Sequence, residues 1–95
     1  MSDTPALENF LSAYFHQDWS MEHDTADGVL EAYLGSEADA EIVAVRDDLA
    51  RLAGEQLDEA ALGARLRGLG SEYDPTRDGV SWQGWLDRLQ AAFRR

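Results

Sequence analysis

The residue types best suited to chemistry lie in residues 16–24. His16, Asp18, His23 and Asp24 bring together imidazole and carboxylate groups, which are the ligands that hold zinc and similar divalent metals. Their spacing matches no metal-binding signature, and the segment falls between two predicted helices. We therefore expect no metal here, and a small metal-dependent enzyme is the weakest of three hypotheses.

The sequence offers little support for other kinds of catalysis. Asp18 with Glu22 would supply a carboxylate pair for general acid–base catalysis, but paired surface acids are usually solvated. The chain has no cysteine, no Gly-x-Ser-x-Gly motif and no glycine cluster that would cradle a phosphate. The sequence therefore predicts a protein that is not an enzyme and uses no cofactor.

Apolar residues recur at helical spacing in five segments, and no segment shows the alternation of a β-strand. Helices are expected over about residues 5–16, 24–35, 36–54 and 58–70, and from Ser81 onward. Residues 71–79, which hold two turn signals, form the longest expected loop. The predicted fold class is all-α, a compact single-domain array of about five short amphipathic helices covering residues 1–95. The expected helix caps are Thr4, Ser36, Asp58 and Ser81.

The composition limits the cellular setting. The chain has 95 residues and no apolar run of the roughly 18 residues that a membrane span needs. Residues 1–5 lack the basic and apolar regions of a secretory signal, so a cytoplasmic location is expected.

Charge is the first feature that points to a partner. Nineteen acidic residues face eight arginines and no lysine, which gives a formal net charge of −11. Residues 1–48 contain twelve acids and only Arg46, whereas residues 49–95 contain seven of each sign. A negative field attracts basic surfaces and repels nucleic acid and anionic membranes. We therefore expect a basic protein partner, with neither nucleic acid nor a membrane bound. Solubility alone would also explain an acidic composition.

Two groups of residues resemble a known family. The run Tyr14-Phe15-His16-Gln17-Asp18-Trp19, with Leu7-Glu8-Asn9-Phe10-Leu11 before it and His23-Asp24-Thr25 after it, closely resembles the start of CdiI-type immunity proteins of contact-dependent growth inhibition. Residues 37–55 are similar to that family only in being helical and amphipathic. Further along, the order of the family recurs in Leu69-Gly70, Tyr73, Pro75, Gly79, Ser81 and Trp85-Leu86.

The resemblance implies a cytoplasmic antidote that binds the carboxyl-terminal domain of a cognate bacterial toxin. Many such toxins are nucleases with a basic groove, which an acidic antidote can occupy or overhang as a phosphate mimic. An acidic adaptor for another basic protein is the second hypothesis. Tyr14, Phe15 and Trp19 are expected in the core, so the interface is sought among the acids.

The candidate partner-binding residues form two patches and one aromatic anchor. For each single acid, an ordinary solvated helix face is an equally good interpretation. The favoured patch is the acidic face of the second predicted helix, Asp24, Asp27 and Glu31, with Asp18 and Glu22 beside it. Glu37, Glu41 and Asp48 form the runner-up patch. Trp82 is the candidate anchor, although packing under the 71–79 loop is the better-supported interpretation of this residue. In chain order the candidates are Asp18, Glu22, Asp24, Asp27, Glu31, Glu37, Glu41, Asp48 and Trp82.

Overall fold

Residues 3–94 are described by the computed structural model, apart from the side chain of Glu22. Within them the chain forms six α-helices and one 3-10 turn, and no strand, so the predicted all-α class is confirmed. The elements are α1 (Pro5–Tyr14), α2 (Trp19–Glu22), α3 (Ala26–Ser36), α4 (Asp39–Gly54), α5 (Glu59–Gly68), the 3-10 turn (Pro75–Asp78) and α6 (Trp82–Phe93).

One hydrophobic core joins the helices. Helix α4 packs against α1 and α6, while α5 and the 3-10 turn pack against α6. Burial of apolar surface is the main favourable term in folding, at about 25 cal/mol per Å². The largest fully buried side chains are Phe10, Phe15, Trp85 and Phe93, together with Leu7, Leu11, Leu49, Leu52, Leu62, Leu66, Leu86 and Leu89.

Aromatic rings connect the two ends of the chain within this core. The Phe10 ring lies 4.5 Å from Tyr33 and 5.5 Å from Phe93, centroid to centroid. Phe15 contacts Trp85 at 5.7 Å in an edge-to-face pair. Such pairs contribute about 0.5–1.5 kcal/mol beyond the area that they bury. The expected core position of Phe15 is confirmed, while Tyr14 and Trp19 are half-buried against the same core.

Two predicted helix starts are confirmed by hydrogen bonds. Asp58 accepts the backbone N–H of Ala61 at 2.8 Å at the start of α5. Ser81 likewise accepts the N–H of Gly84 at 2.9 Å at the start of α6. These bonds satisfy amides that have no partner within the helix.

Of the other two predicted caps, Thr4 is right in position and Ser36 is wrong. Thr4 is the N-cap residue of α1 and Pro5 is the first helical residue, as predicted, but the Thr4 side chain makes no capping hydrogen bond. Ser36 is the last residue of α3, where its hydroxyl donates to the carbonyl of Ala32 at 2.7 Å, and α4 begins after Ala38. Ser36 was expected to leave the helix because serine favours caps, but its hydroxyl bonds back along the preceding turn.

Short elements replace two predicted irregular segments. Helix α1 ends at Tyr14, two residues before its expected end, because His16 Nδ1 accepts the backbone N–H of Asp18 at 3.0 Å and turns the chain into α2. Asp74 accepts the N–H of Thr76 at 3.0 Å and so starts the 3-10 turn. A local side-chain bond precedes α2 and another caps the 3-10 turn, and neither element shows an apolar stripe.

Candidate functional site

The residues considered for metal binding do not form a metal centre. His16 is half-buried and its Nδ1 is occupied by the backbone, as described above. Nowhere in residues 3–94, with the side chain of Glu22 set aside, do three or more potential ligand side chains converge. His16 and Asp18 therefore shape the exit from α1.

Asp48 was proposed as a partner-binding acid, but the structure places it in the interior. Its side chain is only 7% exposed, on the face of α4 that meets α1. Its Oδ2 accepts the backbone N–H groups of Ala6 at 2.9 Å and Leu7 at 3.1 Å. A carboxylate at a helix N-terminus also interacts favourably with the helix dipole. Asp48 thus caps α1 from a neighbouring helix, and it is removed from the candidate surface.

Trp82 is likewise not an exposed anchor. It is 4% exposed and packs on α5, where a Cβ added at Gly63 would lie 2.6 Å from its Nε1. The Arg67 guanidinium covers the indole at 5.4 Å from the ring centroid. The start of α6 is further tied to α5 because Glu59 accepts the backbone N–H of Trp82 at 2.6 Å. The close contact between α5 and α6 depends on the Trp82 ring and on the absence of a side chain at Gly63.

The acids of α3 lie on the surface. Asp27 and Glu31 are exposed and one helical turn apart, and Asp24 is exposed just before the helix. Asp27 is paired with Arg88 of α6 at 2.5 Å, in a bridge whose side chains are 58% and 45% exposed. Glu31 shares a shallow depression with Asp39 of α4, an acid that was not among the sequence candidates. No described arginine lies within salt-bridge distance of Glu31.

Glu37 and Glu41 produce a negative field that acts on a neighbouring tyrosine. They line a groove of about 370 Å³ with Tyr14 and Tyr33. Burial, followed by the charges of Glu37 and Glu41, raises the pKa of Tyr33 to about 12. The Tyr14 hydroxyl donates to Glu37 Oε1 at 3.3 Å.

A cleft beside α2 gathers acids that lie far apart in the sequence. It has a volume of about 520 Å³, and we call it the α2 cleft. Asp24 lies in it opposite three acids of the 72–78 segment, and the rings of Trp19 and Tyr73 also line it. The lining acids are Asp24, Glu72, Asp74 and Asp78, and Arg77 is the one lining cation.

Two of these acids are already engaged within the protein. Hydrogen bonds from the side chain and backbone of Thr76 lower the pKa of Asp74, so it remains ionised. Asp78 accepts the Tyr73 hydroxyl at 2.8 Å, and burial together with this bond raises the pKa of Tyr73. The sequence candidates missed Glu72, Asp74 and Asp78 because residues 49–95 are neutral on balance. The turn signal Asp74-Pro75 marks the position but carries no information about Asp24.

The two remaining candidates, Asp18 and Glu22, flank α3 on its N-terminal side. Asp18 is exposed at the N-terminal end of α2, between two residues that line the α2 cleft. The candidate Glu22 side chain lies outside the described residues. The candidate acids that are exposed or half-buried, together with Asp39 from the depression beside Glu31, are called the acidic surface: Asp18, Asp24, Asp27, Glu31, Glu37, Asp39 and Glu41.

Comparison with known proteins identifies the family. The model of the CdiI immunity protein family matches residues 3–93. This chain belongs to the CdiI immunity protein family. The resemblance noted at residues 7–25 and 69–86 is therefore confirmed, and the family supports a role without catalysis.

A solved structure supports the same assignment. The chain is similar to one in "Crystal structure of CdiA-CT/CdiI complex from Y. kristensenii 33638", with 25% sequence identity and a TM-score of 0.89. The similarity covers 97% of this chain and 99% of the other. No curated protein matches the sequence. Among the described helices of this immunity protein, none has the length and apolar character needed to cross a membrane.

Proposed function

We propose that this CdiI family member binds the carboxyl-terminal domain of a cognate toxin in the cytoplasm and neutralises it through the acidic surface. The match of the family model to residues 3–93 carries the proposal. The similar chain was crystallised in a CdiA-CT/CdiI complex, which supports a CdiA carboxyl-terminal domain as the partner.

Charge supports the acidic surface as the side that faces the toxin. Glu31 and Glu41 are exposed and have no arginine partner among the described residues. Burial is the main cause of the raised pKa of Tyr33, and the charges of Glu37 and Glu41 add to it, so both carboxylates lie close enough to act on the same ring. A basic toxin surface would relieve the negative field of these acids, and complementary charge raises association rates.

A basic nuclease fits this surface best. An enzyme that cleaves nucleic acid must hold phosphates, and its groove is therefore positively charged. Carboxylates spaced along α3 and the start of α4 can occupy the sites of those phosphates. In this mechanism the antidote blocks access to the groove and needs no reactive group of its own.

The test begins with co-purification of the chain with the toxin domain encoded by the gene immediately upstream. The dissociation constant is then measured for the wild type and for Glu31→Arg with Glu41→Arg. A weakening of at least about tenfold is expected, because like charges would face the basic surface. The control is Asp47→Arg with Asp87→Arg, which changes the net charge equally at two exposed sites outside the acidic surface. Equal weakening by both pairs would refute the assignment, and failure to co-purify would refute the partner.

A further inference from the structure

The α2 cleft combines features that an evenly solvated acidic surface does not have. It is a concavity of about 520 Å³ with aromatic rings in its wall, and its carboxylates outnumber its arginine by four to one. Its parts come from α2, from the start of α3 and from the 72–78 segment, so the tertiary fold assembles it.

The carboxylates of the cleft divide into two kinds. Asp74 and Asp78 are held by Thr76 and Tyr73, as described above, and form a fixed negative wall. Asp24 and Glu72 are exposed, and no described arginine lies within salt-bridge distance of either. These two carboxylates are therefore available to an incoming cation.

The aromatic wall adds a second mode of recognition. Trp19 is half-buried, at 5.1 Å from the Tyr73 ring in an edge-to-face pair that fixes its orientation. A cation held over an indole face gains about 0.5–2 kcal/mol, more when water is excluded.

An exposed apolar side chain follows the cleft-lining residues of α2 in the sequence. Met21 is 83% exposed and belongs to α2, directly after the lining residues Trp19 and Ser20. The other large exposed hydrophobic residue among the described ones, Val43, is only 39% exposed. Methionine is overrepresented on protein-binding surfaces because its flexible thioether adapts to different partners. An exposed apolar side chain on a helix that lines a negative cleft favours a protein as the occupant over a free ion.

We infer that the α2 cleft receives a basic side chain, arginine or lysine, of the toxin domain, while Met21 packs against the toxin surface around it. The cation lies between the Asp24 and Glu72 carboxylates with the Trp19 ring beside it. Arg77, which lines the same cleft, competes with this cation by charge. This inference rests on the proposed function, because the occupant belongs to the toxin.

The decisive variant is Asp24→Asn with Glu72→Gln, which preserves side-chain shape and removes both available charges. Its matched control is Asp47→Asn with Asp87→Asn, which removes two exposed charges elsewhere. Calorimetry with the purified toxin domain is expected to show affinity weakened at least about tenfold by the cleft pair and less than about threefold by the control. Arg77→Gln is expected to strengthen binding, because it removes the competing charge.

A second pair of variants tests the apolar contact. Met21→Gln is expected to weaken binding several-fold, while Val43→Thr leaves it unchanged. Urea unfolding of each variant checks that the fold is intact. Wild-type affinity in both the Asp24→Asn/Glu72→Gln and Met21→Gln variants would overturn the inference while the proposed function stands. If the wild-type chain does not bind the toxin domain, both are overturned.

Discussion

Replacement of Asp48 tests whether this acid is structural. Both of its hydrogen bonds are accepted by one oxygen, Oδ2, from the N–H groups of Ala6 and Leu7 at 2.9 and 3.1 Å. Asp48→Asn can keep both bonds through its single amide oxygen and loses only the charge at the N-terminus of α1. This loss should cost about 1 kcal/mol of the free energy of unfolding.

Asp48→Ala removes the acceptor itself. The Leu7 N–H then remains buried without this partner, and each such donor costs about 1–3 kcal/mol. We expect a total loss of about 2–4 kcal/mol, measured by urea denaturation at pH 7. The control is Asp47→Ala. The Asp47 side chain is 66% exposed and its ion pair with Arg46 is long, at 3.8 Å, so exposed pairing of this kind contributes little. This substitution should change stability by less than about 0.5 kcal/mol. Equal effects of Asp48→Ala and Asp47→Ala would refute the capping role.

Three further predictions concern packing, pH and salt. Gly63→Ala should destabilise the fold by about 1–3 kcal/mol, because the added Cβ would lie 2.6 Å from Nε1 of the buried Trp82 ring. Gly68→Ala has open space around the added Cβ and should stabilise the fold by up to about 1 kcal/mol. Urea unfolding compares the two variants. The pKa of Tyr33 is raised to about 12 in the folded protein, so the tyrosine contributes stability that is present below pH 10 and is lost as the pH rises through 12. Tyr33→Phe should therefore reduce the loss of unfolding free energy between pH 9 and 12 by about 2 kcal/mol. Unfolding measured across this pH range checks the prediction. Raising salt from about 0.05 to 0.5 M should slow toxin association tenfold or more in stopped-flow mixing, and an unchanged rate would refute electrostatic steering.

The features of the fold that could be predicted from the sequence depend on residues close together in the chain. The apolar stripes of the helices and the caps at Asp58 and Ser81 involve residues within one or two turns of each other, so spacing alone reveals them. The short helix α2 and the 3-10 turn were missed because four residues are too few to show a periodicity.

Long-range partners account for the errors in the candidate site. Nothing in the sequence around Asp48 distinguishes it from a surface acid. Only the docking of α4 on α1 shows that its carboxylate caps a helix 41 residues away. Asp27 has its partner, Arg88, 61 residues further along the chain. The α2 cleft joins Asp24 to Glu72 in the same way. Charge counted along the sequence indicates that a negative surface exists, but the tertiary fold decides which carboxylates share it.

In the proposed mechanism, exposed acids of this chain protect a cell from one toxin. The mechanism is tested by the growth of cells that produce the toxin domain together with either the wild-type chain or the Glu31→Arg/Glu41→Arg variant. We predict normal growth with the wild type and arrested growth with the variant, at equal amounts of folded protein. Arrested growth with the wild type, or full protection by the variant, would refute this mechanism.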